Sequence, residues 1–199
     1  IDREEGAGRI VVESGNGDPG MDLFTFGDNG RWCEKEGWSS RAYGSRELSP
    51  FMQFISEGNG PQEFFTFMLP REIGFDAPQV IETPVAGGRA FVINYRDYQD
   101  LFVFSDGAMI RTEFFNTDFR FLWTRLSASD QLPEEFVLID GMNFSLDGRV
   151  VIDHPINVEY ATARRFGSKL HVRTDGEIFS VSLPQKRQSS FILRSPTDS

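Results

Sequence analysis

The feature that most constrains the fold is a long series of short apolar runs separated by turn residues. Runs of about four to eight residues recur along the chain, among them 51–55, 63–69, 90–95, 100–104, 120–126, 135–139 and 177–183. Asx-Gly steps, which tolerate the positive φ of tight hairpins, stand between many of them. These steps are Asn29-Gly30, Asp106-Gly107, Asp140-Gly141, Asp147-Gly148 and Asp175-Gly176. Short apolar runs bounded in this way are typical of β-strands.

Helical periodicity is missing from the chain. The nearest candidate for a helix is Thr162–Gly167, which has room for one turn. The sequence therefore predicts an all-β fold, a large antiparallel β-sandwich of two many-stranded sheets with almost no helix. The stretch Pro70–Pro78 is the most loop-like, but the strand patterns on its two sides are alike. We therefore predict one domain over residues 1–199, with frayed ends at about 1–6 and 195–199.

Size, charge and cysteine content exclude several classes of protein. The 199 residues suffice to bury a core, and 30 acidic residues against 20 basic ones give a net charge of −10, the wrong sign for a nucleic-acid binder. Cys33 is the single cysteine, which excludes an internal disulfide and a multi-thiolate metal site. No apolar run approaches the ~20 residues of a membrane helix. We expect no nucleic acid, no membrane span, no metal and no cofactor.

The nucleophilic and titratable residues form no recognisable catalytic set. Asp153 and His154 are adjacent, and adjacent strand residues point to opposite faces, so we interpret His154 as a strand-end residue before a proline turn. His171 lies in an alternating run and is interpreted as a solvent-facing strand residue. Cys33 has no histidine nearby in sequence, which favours a packed or edge thiol. A Gly-x-Ser-x-Gly motif is absent. We predict no catalytic residue.

One segment, 36–44, combines residue types that suit carbohydrate binding. Trp38, Arg41 and Tyr43 lie within six residues of one another and are flanked by glycines. Aromatic rings stack on sugar faces, and a guanidinium pairs with a carboxylate, so these three residues are the candidate carbohydrate-binding set. The alternative is a bulged strand whose Trp and Tyr fill the core, and composition alone favours that alternative.

The order of motifs resembles that of heparinase II/III-like proteins, from about residue 8 to about residue 185. The resemblance rests on Gly37-Trp-Ser-Ser-Arg-Ala-Tyr-Gly44, Leu48-Ser-Pro50 and the run 60–70 that ends in Leu-Pro. Downstream, an aspartate strand at 97–104, an arginine strand at 123–125 and the Asp-Gly turn that closes 139–148 also fit. The order and spacing of these motifs carry more weight than any one of them.

The resemblance implies a C-terminal β-sandwich that follows an N-terminal α/α toroid. Such enzymes are polysaccharide lyases that cleave uronic-acid glycans by β-elimination, with catalytic residues drawn mostly from the toroid. The chain shows no toroid, and Ile1 is not a natural start residue, so we expect a fragment of a longer protein and transfer no catalytic residue. Its expected partners are the missing toroid and an acidic polysaccharide, and its expected location is the periplasm or the cell exterior.

Two further hypotheses stay open alongside this accessory role. One is a stand-alone carbohydrate-binding module that uses Trp38, Arg41 and Tyr43. The other is a scaffold domain without a ligand. A domain that is catalytic by itself fits the sequence least. The net charge of −10 favours a less charged uronate glycan over a heavily sulphated one.

Overall fold

A computed structural model describes residues 3–4, 7–12, 19–71, 77–112 and 114–183. In these residues the chain forms sixteen strands and no helix, and every strand pair is antiparallel. The all-β antiparallel prediction is confirmed, and the many-stranded sheets are consistent with a β-sandwich. The strands are β1 (Arg3–Glu4), β2 (Ala7–Val12), β3 (Gly20–Phe26), β4 (Arg31–Ser39), β5 (Glu47–Ile55), β6 (Phe65–Arg71), β7 (Gln79–Val85), β8 (Gly88–Asn94), β9 (Tyr98–Ser105), β10 (Ile110–Arg111), β11 (Phe115–Thr117), β12 (Phe121–Ser127), β13 (Pro133–Leu146), β14 (Arg149–Phe166), β15 (Lys169–Thr174) and β16 (Ile178–Ser182).

The chain divides into two compact units, unit 1 from Ile1 to Ala77 and unit 2 from Pro78 to Ser199. The division falls in the stretch predicted to be the most loop-like, of which residues 72–76 lie outside the described residues. The predicted frayed ends also lie outside them, except for residues 3–4, which pair with β2 as strand β1. The assignment of the whole chain to a single domain stays a prediction.

Unit 1 contains a four-stranded sheet in the order β1-β2-β3-β6 and a separate two-stranded sheet, β4-β5. The four-stranded sheet holds a fully buried carboxylate, Asp22, at the middle of its face. Arg9 Nη2 lies 2.7 Å from Asp22 Oδ1, and Arg71 Nε lies 3.3 Å from Asp22 Oδ2. Two guanidinium groups from the flanking strands β2 and β6 thus neutralise the charge that the central strand buries.

Unit 2 contains one ten-stranded sheet. Eight of its strands form a continuous path in the order β16-β15-β14-β13-β12-β9-β8-β7, and β11 joins β10 to β13. Burial alternates along these strands with the two-residue period of a sheet that has one face on a core. The buried residues of that face form one cluster, which includes Ala90, Val92, Leu101, Val103, Leu122, Leu126, Phe136, Leu138, Phe144, Ile152, Ala161, Ala163, Leu170 and Val172.

One turn prediction was wrong, and it concerns a long strand. The step Asp140-Gly141 is not a turn between strands but lies inside β13. A β-carbon on Gly141 would come within 2.5 Å of the α-carbon of Phe119, so the glycine admits a close backbone approach at a register shift. The possible helical turn at Thr162–Gly167 is the end of β14 and the turn that follows it. The other four Asx-Gly steps lie between strands, as predicted.

Candidate functional site

The segment 36–44 lies at the tip of the hairpin formed by β4 and β5. The two strands pair along their whole length, from Arg31 opposite Ile55 to Ser39 opposite Glu47. Near the base, the rings of Trp32 and Phe54 meet edge to face at 5.3 Å. Near the tip, Trp38 stands opposite Leu48, and these two side chains are 58% and 64% exposed. The hairpin is thus packed at its base and apolar but exposed at its tip.

The loop between the two strands holds Tyr43 away from the protein. Ser45 donates its backbone N–H to the carbonyl of Ala42 at 3.1 Å, and Ser40 Oγ donates to the same carbonyl at 2.8 Å. Gly44 completes the turn with a φ of 81°, which a residue with a side chain rarely adopts. Tyr43 occupies the outer corner of this turn, where its side chain is fully exposed.

The tip also contains a cation–π contact that sequence analysis missed. The Arg46 guanidinium carbon lies 4.3 Å from the centroid of the Trp38 ring. Arg41 instead faces Glu47 at 3.9 Å, and both of these side chains are largely exposed. The pattern contained a usable signal, because diagonal neighbours across a hairpin reach one another when one is aromatic. To apply this rule, one must know that the first strand ends at Ser39 and that the second begins at Glu47.

These exposures correct the core interpretation of the segment. Trp38 and Tyr43 are exposed rather than packed in a core. Loop residues 40–46 contain Arg41 and Arg46 and no acidic residue, and Glu47, which faces Arg41, follows them directly. Exposed aromatic rings stack on the apolar faces of sugars, and guanidinium groups pair with carboxylates. The tip therefore has the chemistry to contact an acidic saccharide.

The histidines and the cysteine do not form a reactive site. His171 is exposed on β15, as predicted. His154 lies within β14 rather than at a strand end, so that prediction was wrong; its Nδ1 is 3.0 Å from the carbonyl oxygen of Ile156. Cys33 is half-buried on β4. Among the described residues, no three His, Cys, Asp or Glu side chains are grouped so that they could hold a metal ion.

The aspartate and arginine strands of the resemblance meet in unit 2. Asp100 on β9 stands opposite Arg125 on β12, and both carboxylate oxygens accept hydrogen bonds from its guanidinium at 2.8 Å. The guanidinium also lies over the ring of Tyr98, 4.0 Å from its centroid. Asp100 is almost fully buried. We call Asp100, Arg125 and Tyr98 the β9–β12 clamp.

Two groups at the β9–β12 clamp, Arg125 and the neighbouring Tyr95, have raised pKa values. Its hydrogen bonds to Asp100 raise the pKa of Arg125, so the guanidinium stays charged. Tyr95 stacks on Tyr98 at 4.4 Å, and burial, followed by the nearby charge of Asp100, raises the pKa of Tyr95 to about 12. A phenol with that pKa stays protonated at neutral pH and does not act as a base there. The clamp is therefore a structural cross-strand link.

A second carboxylate, Asp118, is held by backbone and side-chain donors. It accepts hydrogen bonds from the N–H groups of Met142 and Asn143 at 2.8 and 2.7 Å and from Asn143 Nδ2 at 2.6 Å. Burial opposes its ionisation, but these hydrogen bonds outweigh burial and lower the pKa of Asp118. Its ionised form thus stabilises the junction between β11 and β13.

Acid denaturation tests the role of Asp118. Because its pKa is lower in the folded chain, its stabilisation is complete above the unfolded pKa of about 3.9 and is lost as pH falls through the folded value. We expect Asp118→Asn to lower the free energy of unfolding at pH 7 by about 1–2 kcal/mol. The loss should shrink below about pH 4, measured by urea unfolding across pH. Asp97→Asn, at an exposed position, should leave the pH profile unchanged. Equal loss at all pH values in Asp118→Asn would contradict the assignment.

Comparison with known proteins places the chain in no family. No protein-family model matches it, and no curated protein matches it either. None of the described residues belong to a helix that is long and apolar enough to span a membrane. The candidate site therefore stands on its geometry and on the motif order of the sequence.

Proposed function

We propose that this chain is an accessory β-sandwich module of a heparinase II/III-like polysaccharide lyase, and that its β4–β5 hairpin tip contacts an acidic glycan. The observation that carries the proposal is the exposed pair of Trp38 and Arg46, whose guanidinium carbon lies 4.3 Å from the ring centroid, on a hairpin tip that also holds the fully exposed Tyr43. Trp38 and Tyr43 belong to the Trp-Ser-Ser-Arg-Ala-Tyr-Gly motif, which is one of those that carry the resemblance.

The proposed role is binding and support, with the β-elimination step carried out by the toroid of the longer protein. β-Elimination on a uronate needs a base beside a group that neutralises the carboxylate. The hairpin contains no histidine, and Arg125, from the arginine strand of the resemblance, is already held by Asp100. The protonated Tyr95 beside it lacks the required basicity at neutral pH. The chain can thus line a glycan-binding cleft without supplying the chemistry.

A stand-alone carbohydrate-binding module is the second candidate, and one observation favours it. The tip already has its aromatic and cationic groups arranged within a single hairpin, since the loop is braced by Ser40 and Ser45. Such a site needs no second domain to complete it. The two candidates therefore differ in whether the chain binds glycan alone.

Binding to a soluble polyuronate, such as alginate, tests the hairpin tip. We expect Trp38→Ala to weaken binding about tenfold, because the ring gives both stacking area and the cation–π contact with Arg46. Affinity electrophoresis or calorimetry measures the change. Ile178→Ala is the matched control, since Ile178 is an exposed apolar residue of unit 2, and it should leave affinity unchanged.

Four outcomes separate the hypotheses. Binding seen only in the longer protein supports the accessory role, whereas equal binding by the chain alone supports the stand-alone module. Binding that is insensitive to Trp38→Ala overturns the role of the tip. Production of unsaturated uronate by the chain alone, detected by its ultraviolet absorbance, overturns the non-catalytic assignment.

A further inference from the structure

One edge of the ten-stranded sheet in unit 2 is a short strand without the usual protection of sheet edges. Strand β16 (Ile178–Ser182) is the last strand of the continuous path, and β15 is its one partner among the described strands. Its sequence, Ile-Phe-Ser-Val-Ser, contains no charged residue and no proline. Natural proteins guard edge strands with charges or prolines, because an unguarded edge is a template for pairing with another chain. We call the outer side of β16 the β16 edge.

The strand at the other end of the same path does have this protection. Strand β7 contains Pro84, which has no backbone N–H to donate. It also contains Glu82, whose carboxylate pairs with Arg89 at 2.7 Å. The two ends of one sheet therefore differ, since β7 resists the addition of a further strand and β16 permits it.

The hydrogen-bond pattern shows which backbone groups β16 directs outward. Leu183, directly after the strand, donates its N–H to the carbonyl of Ser168 at 2.8 Å, so residue 183 is a hydrogen-bonded position of the ladder with β15. Antiparallel pairs alternate between hydrogen-bonded and non-hydrogen-bonded positions. The register therefore turns the backbone N–H and C=O groups of Ile178, Ser180 and Ser182 away from β15, toward the open side of the sheet.

The side chains of β16 alternate between the core and the exposed face. Phe179 and Val181 pack against the core cluster and are partly buried, so they form its apolar margin. Ile178, Ser180 and Ser182 lie on the other face and are exposed. A strand added at the β16 edge covers Phe179 and Val181 best with apolar side chains of its own, because this extends the core by one strand.

A row of basic side chains lies beside the edge on the exposed face. Lys169, His171 and Arg173 alternate along β15, stand in register with the outward-facing residues of β16 and are exposed. We call these three residues the β15 basic row. Within the described part of the chain, neither Lys169 nor Arg173 makes an ion pair. Arg164 on β14 stands between His171 and Glu135 of β13, so the excess of positive charge lies on β15.

The β15 basic row determines which kind of strand fits the edge. A strand added to β16 places its exposed side chains two strand spacings, about 10 Å, from the row. Two of the three outward-facing residues of β16 between them are serines, whose small side chains leave room for lysine and arginine to reach across. Charges at this separation interact within about one Debye length at physiological ionic strength. Acidic side chains on the added strand are therefore favoured, and basic ones are disfavoured.

Two other occupants of the edge match this charge less well. A second copy of β16 brings serines, one exposed isoleucine and a basic row of its own, and so no acidic group. Residues 184–199, which follow β16 in the sequence, contain three basic side chains and one acidic one. The charge of the exposed face thus favours a strand from a different protein.

We propose that the β16 edge is a docking site for an extended segment of a partner protein in which apolar and acidic residues alternate. The segment adds to the sheet as one further strand, whose backbone bonds the outward groups of Ile178, Ser180 and Ser182. Its apolar side chains cover the margin of the core, and its acidic side chains face the β15 basic row. The edge belongs to a different unit from the hairpin tip, so the proposal does not depend on the function proposed for that tip.

Amide hydrogen exchange of the whole chain, followed by NMR, tests the proposal with a synthetic probe. The probe is a capped peptide of about seven residues in which valine and glutamate alternate. Millimolar probe should slow exchange at the amides of Ile178, Ser180 and Ser182, because these groups gain hydrogen bonds. The amides of Phe179 and Val181 already bond to β15 and should change less. A probe with lysine in place of glutamate should bind at least about tenfold more weakly.

Substitutions test the backbone and the charge separately. Ser180→Pro removes one outward N–H and leaves the ladder with β15 intact, so it should weaken probe binding about tenfold or more, whereas Ser180→Thr keeps the N–H and should leave affinity unchanged. Lys169→Met combined with Arg173→Met should weaken binding about tenfold and reduce its salt dependence. Arg149→Met removes an exposed arginine at the other end of β14 and should have no effect.

Several results would overturn the proposal. Exchange at residues 178, 180 and 182 that does not respond to millimolar probe is one of them, and so is binding that persists in Ser180→Pro. Equal binding of the glutamate and lysine probes would remove the charge complementarity. Protection of the same amides that rises with protein concentration, without probe, would assign the edge to a second copy of the chain. Protection in the chain alone that is lost on removal of residues 184–199 would assign it to those residues.

Discussion

Replacing Asp100 by Ala should lower the free energy of unfolding by about 3 kcal/mol, one of the two largest effects that we expect in this protein. The side chain of Asp100 is 6% exposed and accepts two hydrogen bonds from Arg125, whose side chain is 30% exposed. The substitution leaves a half-buried guanidinium without its carboxylate, and the remaining contact with Glu135, at 3.8 Å, is too long for a hydrogen bond. Because Arg125 is partly exposed, we expect a loss of unfolding free energy at the lower end of the range for buried ion pairs.

Two measurements distinguish the β9–β12 clamp from an ordinary surface ion pair. Urea unfolding of Asp100→Ala measures the loss of unfolding free energy. The control is Glu57→Gln, which breaks the exposed pair of Arg31 and Glu57 and should change stability by less than about 0.5 kcal/mol. Absorbance titration of tyrosine should also show the pKa of Tyr95 moving down from about 12, because the charge of Asp100 helps to raise it. If Asp100→Ala lost as little unfolding free energy as Glu57→Gln, the stabilising role of the β9–β12 clamp would be contradicted.

Replacing Phe136 by Ala should cost about 3–5 kcal/mol, because it removes a fully buried ring from the centre of unit 2. Phe136 on β13 meets Phe144, on the same strand beyond the register shift, edge to face with ring centroids 5.2 Å apart. The bend in β13 brings two rings of one strand together, so the cavity left by Phe136→Ala is lined by a ring that has lost its partner. Chemical denaturation of the whole chain measures the change.

A double-mutant cycle isolates the aromatic contact from simple burial. Phe144→Ala combined with Phe136→Ala should show a coupling of about 0.5–1.5 kcal/mol between the two rings. The control is Phe166→Ala on β14, where the ring is 62% exposed and the expected loss is below about 1 kcal/mol. If the losses of unfolding free energy from the two core substitutions were fully additive, the rings would stabilise the fold through buried apolar area alone.

Local chemistry was enough to predict most strands and turns of this chain. The apolar run 51–55 lies in β5, and the run 100–104 lies in β9. The step Asp147-Gly148 forms the turn between β13 and β14, with both residues at positive φ. The step Asp140-Gly141 was wrongly predicted as a turn. Its glycine is required by a close contact with Phe119, which is distant in sequence, rather than by local backbone geometry.

The candidate site was only partly predictable. Trp38 and Tyr43 were identified by residue type, but their exposure was not, since a ring that packs in a core and a ring that binds a sugar have the same sequence signature. Arg46 was missed because its contact with Trp38 depends on where the two strands of the hairpin end. Arg41, which was predicted, faces Glu47 instead.

The sequence by itself determined the strand class, the turn positions and the charge of this protein, because alternation and turn residues act over a few neighbouring positions. Only the tertiary structure decided which side chains meet. Asp100 and Arg125 are 25 residues apart, and so are Asp118 and Asn143. These meetings depend on strand order and register, which the packing of the whole sheet selects. A shift of one residue in any strand would turn its polar row toward the core.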